Sequence, residues 1–278
     1  MQRITYPIKE RIKLTGIYSF FTLPCSNTYE FTGESHSFWE LMYVISGSLC
    51  VSADEKVYHL SQGQMIFHQP LELHKFHVTD PKGAKILVIS YDVEGKLRDF
   101  FREKVFLLDQ PQRNILSALI NYAEVHADNS QSSYYRYLNA FQTVSLYSQK
   151  VSLFIQQLFL SLAEGNSITP SPEDEDSVLF TKTVQYMNEH ITENPSVLEI
   201  ASSLHISISA LKRIFKKYAG LGVHKYFLKL KLKAAIELLG NGSSVTSVSE
   251  KLGFSSQGYF TNAFKREFGD LPSAYLQP

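Results

Sequence analysis

The sequence predicts a two-domain α+β protein: a β-barrel with helices appended to it, then an all-α domain that repeats a helix-turn-helix. Three observations carry this reading. Residues from about 14 to 91 fall into short β-branched and aromatic runs separated by turn residues. From about 95 the apolar period becomes helical, and within the last hundred residues one helical pattern recurs after 48–49 positions. A chain of 278 residues is long enough for two hydrophobic cores.

Composition narrows the class. Hydrophobic residues make up 44%, which excludes a disordered chain, and two cysteines are too few for a disulfide framework or a cysteine-rich zinc site. No apolar run reaches the 18 or so residues of a membrane span, and the residues after Met1 meet Pro7, Lys9, Glu10 and Arg11 rather than a signal-peptide core. The expectation is a cytoplasmic protein without membrane association. The zero net charge is unevenly spread: residues 177–278 carry 12 Lys and Arg against 7 Asp and Glu. The remaining residues carry 15 against 20, so the C-terminal part is the one to test against a polyanion.

Four segments follow from these patterns. Residues 1–94 hold the strands: Phe38–Val51, Val57–Leu60, Gln64–Phe67 and Lys85–Tyr91 are punctuated by Gly33, Gly47, Gly63, Pro70 and 80–83. Residues 95–163 read as helical. Tyr137, Phe141, Val144, Ser148, Val151, Ile155, Leu158 and Leu162 follow at 4-3-4-3 spacing, an a/d seam of nearly four heptads. That seam serves either the subunit's own core or a dimer, in which case Phe141, Val144, Val151, Ile155 and Leu158 are the contact residues. Residues 164–177, with two prolines, a glycine and four consecutive acids, read as an extended acidic linker. Residues 178–278 are helical.

Within that last segment, Ser196 and Glu199 form a capping box ahead of Leu198, Ile200, Ala201 and Leu204. Ser207 caps a second helix, 208–218, which buries Leu211, Ile214, Phe215 and Tyr218, carries Lys212, Arg213, Lys216 and Lys217, and stops at Gly220. The pattern returns as Val248-Ser249, Leu252, Ser255, Phe260, Phe264-Lys265 and Gly269, at an offset of 48 that becomes 49 after Ser255. A helix over 223–239 separates the copies, with Tyr226, Phe227, Leu230, Ala234 and Leu238 on one side. At 1.5 Å per residue it is about 25 Å long, a spacer able to set two recognition helices roughly one DNA turn apart.

The stretches Leu198-Glu-Ile-Ala, Leu211-Lys-Arg-Ile-Phe-Lys-Lys-Tyr, Leu252-Gly-Phe-Ser-Ser, Tyr259-Phe-Thr-Asn-Ala-Phe-Lys-Arg-Glu-Phe-Gly269 and Pro272-Ser-Ala-Tyr275 resemble the DNA-binding domain of AraC/XylS-type transcription regulators. The resemblance implies base-reading positions at Ser209, Lys212 and Arg213 in the first copy and at Gln257, Gly258, Thr261 and Asn262 in the second. An arginine can grip guanine through O6 and N7, and Gln or Asn can pair with adenine. Lys216, Lys217, Lys265 and Arg266 are placed for phosphates, which supply affinity and salt dependence. The chain departs from many relatives at Gly258, Asn262 and Lys231, where a polar side chain and two arginines are common.

The strand region resembles a cupin. His36-x3-Glu40-x6-Gly47 matches much of the first cupin motif, with Glu34 where a further histidine commonly stands, and Gly63-x6-Pro70-x3-His74 resembles the second. This implies a sensor barrel, with His36, Phe38, Trp39, Glu40 and His74 as candidate ligand contacts, and Tyr18 and Tyr43 as further aromatic walls. No cofactor is expected; His36, Glu40 and His74 are the alternative set should the barrel hold a metal. His59, His68 and His77 show no ligand spacing.

The reading is a sequence-specific, non-enzymatic transcription regulator, an activator responding to a small-molecule effector in the barrel. Its partners are double-stranded DNA, a second copy of itself and, by family resemblance, RNA polymerase. The competing readings are a metal-dependent cupin enzyme fused to a DNA-binding domain and a regulator without a ligand.

Overall fold

The computed structural model describes residues 6–132, 134–165, 167–168 and 174–276. By contacts the described residues fall into two compact units, one within 6–51 and 58–168, the other comprising 52–57 and 174–276.

Among the described residues the N-terminal domain has nine strands: β1 (Lys13–Cys25), β2 (Glu30–Glu34), β3 (Trp39–Ser46), β4 (Ser48–Ala53), β5 (Lys56–Ser61), β6 (Gln64–His68), β7 (His74–Val78), β8 (Ala84–Glu94) and β9 (Val105–Leu107). They form a five-stranded sheet, β1-β8-β3-β6-β9, and a four-stranded sheet, β2-β7-β4-β5. Turn chemistry sets the corners. Gly47 between β3 and β4 has φ of 82°, and a Cβ there would stand 2.3 Å from the Gly83 carbonyl, so only glycine fits. The register pairs Glu40 with His68 on β6 and with Ser90 on β8, and Glu34 with His74 across β2 and β7.

Strand parity then separates two environments. Trp39, Leu41 and Tyr43 of β3, with Leu87, Ile89 and Tyr91 of β8, lie in the large core shared with the helices. Their alternates Glu40 and Met42, Ile86, Val88 and Ser90 face the interior between the sheets. The helices against that core are α1 (Gln110–Val125), the single turn α2 (Ala140–Thr143) and α3 (Tyr147–Glu164). Asp109 opens α1 with a capping box to Gln112, and Leu116, Leu119 and Ala123 are its buried stripe.

Two expectations for 95–163 change. The segment is not helical throughout: β9 extends the five-stranded sheet beside β6. The long seam is not one helix either. Leu146 adopts a left-handed conformation, φ 65°, immediately before α3, so 137–144 and 147–162 are separate pieces. Val151, Ile155 and Leu158 are buried in the domain's own core, and Phe141 and Val144 pack against it. The 4-3-4-3 stripe therefore points at the chain's own sheet, where five-stranded apolar surface was available to cover it. The side of α3 away from the sheet leaves Leu153 58% and Leu160 43% exposed.

The C-terminal domain comprises α4 (Glu175–Glu189), α5 (Val197–Ser203), α6 (Ile208–Ala219), α7 (Val223–Gly240), α8 (Val245–Lys251) and α9 (Gln257–Phe268), closed by a 3-10 turn at Pro272–Tyr275. Helix α4 starts at Glu175, inside the segment expected as linker, because Asp174 accepts a hydrogen bond from the Ser177 amide and caps it. The repeat is physical: α8 begins 48 residues after α5 and α9 begins 49 after α6. The cap of α9 is Ser256, whose side chain accepts from the Tyr259 amide. The extra residue thus enters the turn before the cap, and Ser255 is not the partner of Ser207. The turns correspond too, with left-handed residues at His205, φ 56°, and Gly253, φ 65°.

Lys231, in the middle of α7, ties the copies together. Its ammonium donates to the Glu193 carbonyl (2.5 Å), Asn194 Oδ1 (2.7 Å) and the Leu252 carbonyl (2.8 Å). Burial pulls its pKa down to about 8. Lys231→Met keeps the stem and strands the buried Leu252 carbonyl together with the partly buried Glu193 carbonyl. The expected cost is about 2–4 kcal/mol, since an orphaned buried acceptor forfeits ~1–3 kcal/mol. Calorimetry of the full chain should show a lowered transition for the C-terminal domain with the N-terminal one unmoved.

Candidate DNA interface and barrel cavity

The recognition helices α6 and α9 are amphipathic for a simple reason: their buried stripes, Leu211, Ile214, Phe215 and Tyr218 in one and Phe260, Ala263 and Phe264 in the other, leave the remaining faces to solvent. Ser209, Lys212, Arg213 and Lys216 are exposed on α6, with Lys217 half-buried; Gln257, Gly258, Asn262, Lys265 and Arg266 are exposed on α9, with Thr261 half-buried. Every residue expected at the interface thus sits off the buried stripes. Gly258 has open space where a Cβ would stand. Gln257 accepts a hydrogen bond from Thr246 of α8 at 2.9 Å, which orients its amide.

Arg213 is engaged. Its guanidinium makes two hydrogen bonds to Asp176, at 2.6 and 2.9 Å, in the fork geometry that arginine also offers a guanine edge. Lys217 contacts Asp174 at 3.1 Å, and the Tyr218 hydroxyl donates to the same carboxylate. The Arg213 hydrogen bonds hold the Asp176 carboxyl below the usual range. Burial acts to raise the pKa of Asp174, but the bonds from Tyr218, the Ser177 amide and Lys217 prevail and hold it at about 2. Of the four acids read from sequence as part of a solvated linker, Asp174 and Asp176 stand instead at the start of α4, against the basic face of α6, and Glu173 lies outside the described residues.

The barrel encloses a cavity of about 290 Å³. Phe21, Leu23, Phe31, Phe76, Ile86 and Val88 form apolar wall, and Ser19, Glu34, Glu40, His74, Ser90 and Tyr134 are polar groups reaching it. Of the expected contacts, Phe38, Glu40 and His74 line it, whereas His36 is not among its lining residues and reaches it only through Glu40. Trp39 and Tyr43 do not: both belong to the odd-numbered face of β3 that packs on the helices. Tyr18 reaches the wall indirectly, stacked on Phe38 at 4.3 Å. Tyr29, Phe31, Phe76 and Tyr134 were missed. Phe31 and Phe76 were legible as alternate strand positions, whereas Tyr29 lies just before β2 and Tyr134 comes from the segment after α1, whose path no periodicity specifies.

Four titratable groups meet at one side of the cavity. The His36 Nε2 lies 3.7 Å from a Glu40 oxygen, and the His74 Nε2 lies 3.5 Å from Glu40 and 3.7 Å from Glu34. Among the described residues neither Nε2 has a hydrogen-bond partner. Burial works against charge on His74, but Glu34 and Glu40 outweigh it and hold the imidazole at about 10. Glu40 is buried as well, which opposes its charge, yet His36 and His74 keep its carboxyl far below the usual range. His68 is wholly buried, bonded through Nδ1 to Glu72 at 2.6 Å and stacked on His74 at 4.2 Å; burial pushes its own pKa down.

Comparison with known proteins bears on both domains. Residues 17–176 match the AraC-like ligand binding domain, and residues 200–278 match a helix-turn-helix domain. The chain is 30% identical over 116 residues to the regulatory protein PocR of Salmonella typhimurium, covering 41% of this chain and 38% of that protein. It is 26% identical over 250 residues to the HTH-type transcriptional activator RhaS of Escherichia fergusonii, covering 89% and 88%. A crystal structure of ToxT from Vibrio cholerae O395 aligns over 96% of this chain and 97% of its own, with 16% identity and a TM-score of 0.38. No helix among the described residues is long and apolar enough to cross a membrane.

Proposed function

The chain belongs to the AraC-type transcription regulators, and on that premise we propose that α6 and α9 enter successive major grooves of one DNA target while the barrel cavity takes a small-molecule effector. The observation that carries this is the physical repeat. Two helix-turn-helix units at an offset of 48–49 residues present polar and basic faces, and α7, 18 residues and thus about 27 Å, spaces them.

In this reading Ser209, Lys212 and Arg213 read bases in one half-site, and Gln257, Thr261 and Asn262 in the other. Gly258 adds no contact of its own. Lys216, Lys217, Lys265 and Arg266 follow phosphates. Arg213 must leave Asp176 to reach a base, so the start of α4 competes with DNA for the guanidinium. The cavity suits an effector with a polar head directed at Glu34, Glu40 and His74 and an apolar body against Phe31 and Phe76. Regulation then requires that effector to favour one arrangement of the protein over another. The protein acts as a homodimer through the outer face of α3 rather than its buried seam, and meets RNA polymerase when bound beside it. The family's naming as regulators and activators supports a role without catalysis.

Binding-site selection from random duplexes, with the purified full chain at two salt concentrations, tests the reading. The expected product is a motif with two conserved blocks about 10 base pairs apart, and affinity that falls with salt without loss of the sequence preference. Recovery of unenriched sequences, bound weakly and only at low salt, would leave a basic surface and nothing more.

A further inference from the structure

We propose that Thr246 is a specificity-determining residue of the second helix-turn-helix: its hydroxyl positions the Gln257 amide so that the amide selects adenine at one base position. The inference rests on the DNA reading given above and adds to it a residue that makes no base contact of its own. Thr246 is the second residue of α8 and Gln257 the first of α9. The hydroxyl donates to Gln257 Oε1 at 2.9 Å, across the turn between the two helices. What that bond leaves open is the first argument. A carbonyl oxygen has two lone pairs and an amide nitrogen two hydrogens. With one lone pair taken by Thr246, Oε1 keeps the other and Nε2 keeps both hydrogens. Adenine offers the N6 donor and the N7 acceptor in the major groove, and an amide meets them with one acceptor site and one donor. The bond is therefore compatible with bidentate pairing and removes the rotamer freedom that would blur it; a side chain ordered beforehand loses less on binding.

The second argument is that the fold does not need this bond. Ser244 caps α8 by accepting from the Ser247 amide, and Ser256 caps α9 by accepting from the Tyr259 amide, so both helix starts are satisfied without Thr246 or Gln257. Both side chains are exposed. Water competes for such a hydrogen bond, and its net contribution to stability is small. The first copy forms the same motif without it. There the second residue of α5 is Leu198 and the first residue of α6 is Ile208, whose side chains cannot hydrogen-bond.

The third argument is position. The N-terminal residues of a recognition helix are those that reach base edges. In the first turn of α9, Gly258 brings no side chain and Phe260 is buried, so the Gln257 amide carries polar reading that its neighbours do not. Because Leu198 and Ile208 hold the matching places in the first copy, the two half-sites are read differently here. An adenine preference that depends on Thr246 is expected in one block of the motif and not in the other.

The test is binding-site selection with the full chain, comparing the unaltered protein with Gln257→Ala, Thr246→Val, Thr246→Ser and the Thr246→Val, Gln257→Ala double variant. Gln257→Ala is expected to abolish the adenine preference at one column. Thr246→Val replaces the hydroxyl by a methyl of similar shape and should lower that preference by about three- to tenfold, the scale of one hydrogen bond. The other columns and the salt slope should stay as they are, and Thr246→Ser should restore the column. In the Gln257→Ala protein, Thr246→Val should change nothing further, because the coupling has already been removed. An adenine column that ignores Thr246→Val, or that survives Gln257→Ala, would overturn the proposal. So would an even loss of affinity with a reduced salt slope in Thr246→Val, which would place the hydroxyl on a phosphate. These outcomes leave the selected motif, and with it the DNA reading, intact; selection of no motif by the unaltered chain would remove both.

Discussion

Arg213→Ala is expected to weaken binding to the selected site by about ten- to hundredfold and to relax the preference at one base position, as loss of a bidentate arginine–guanine contact does. Asp176→Asn is expected to act in the opposite direction, strengthening binding by about threefold, the scale of an exposed ion pair. The argument is competition for one fork of donors. Arg213 reaches Asp176 through both terminal nitrogens, the same two that a guanine O6 and N7 would take. DNA therefore has to displace the carboxylate, and a neutral asparagine is displaced more easily. Lys216→Ala is the control. It should lower affinity evenly across sequences and reduce the salt slope by about one, since a phosphate contact reads no base. An Arg213→Ala protein that behaves like Lys216→Ala would place the guanidinium on the backbone. Weaker binding by Asp176→Asn would mean that the carboxylate orients Arg213 for DNA instead of withholding it.

The same contact shows where sequence reading succeeds and where it stops. The repeated helix-turn-helix was legible because each boundary is marked by a local rule: Ser196 and Glu199 close a capping box, Ser207 caps α6, and Gly220 and Gly269 end the helices with positive φ. Those rules act within a few residues, so they survive without knowledge of the tertiary structure. Even here a run of two serines hid the true cap of α9, because Ser255 and Ser256 offer the same chemistry and only the turn geometry chooses. The pairing of Arg213 with Asp176 spans 37 residues, and no periodicity announces it.

In the barrel the alternation itself was informative and was not followed through. Placing Glu40 toward the interior puts Trp39 and Tyr43 on the opposite face of β3, where both are found in the core. His36, Glu40 and His74 were brought together as their spacing implied, but the place of Glu34 beside them needed the register that sets it across from His74. The same limit applies to β9. Three residues of strand carry too little pattern to stand out, and Val105–Leu107 pair only because β6 leaves an edge to be covered.

Helix α3 gives the sharpest separation of two meanings of one stripe. Val151→Glu is expected to unfold the N-terminal domain. Val151 is fully buried in a core of aromatic and aliphatic side chains, and a carboxylate there has no partner, at a cost of more than about 4 kcal/mol. Calorimetry of the full chain should then lose the N-terminal transition while the C-terminal one persists. Leu153 and Leu160 lie seven residues apart on the other side, exposed, and with Leu146 just before the helix they make a heptad-spaced row. Leu153→Glu with Leu160→Glu should leave the melting profile unchanged and halve the mass in solution. Affinity for a paired site should fall by about a hundredfold, because the second half-site loses the effective concentration that dimerisation supplies. An unaltered dimer mass in this variant would remove α3 from the interface. A melting profile that collapses as for Val151→Glu would show that the outer row also belongs to the core. The two faces differ only in which neighbour covers them, and that is why a heptad pattern, read alone, cannot distinguish a helix docked on its own sheet from one that meets a second copy.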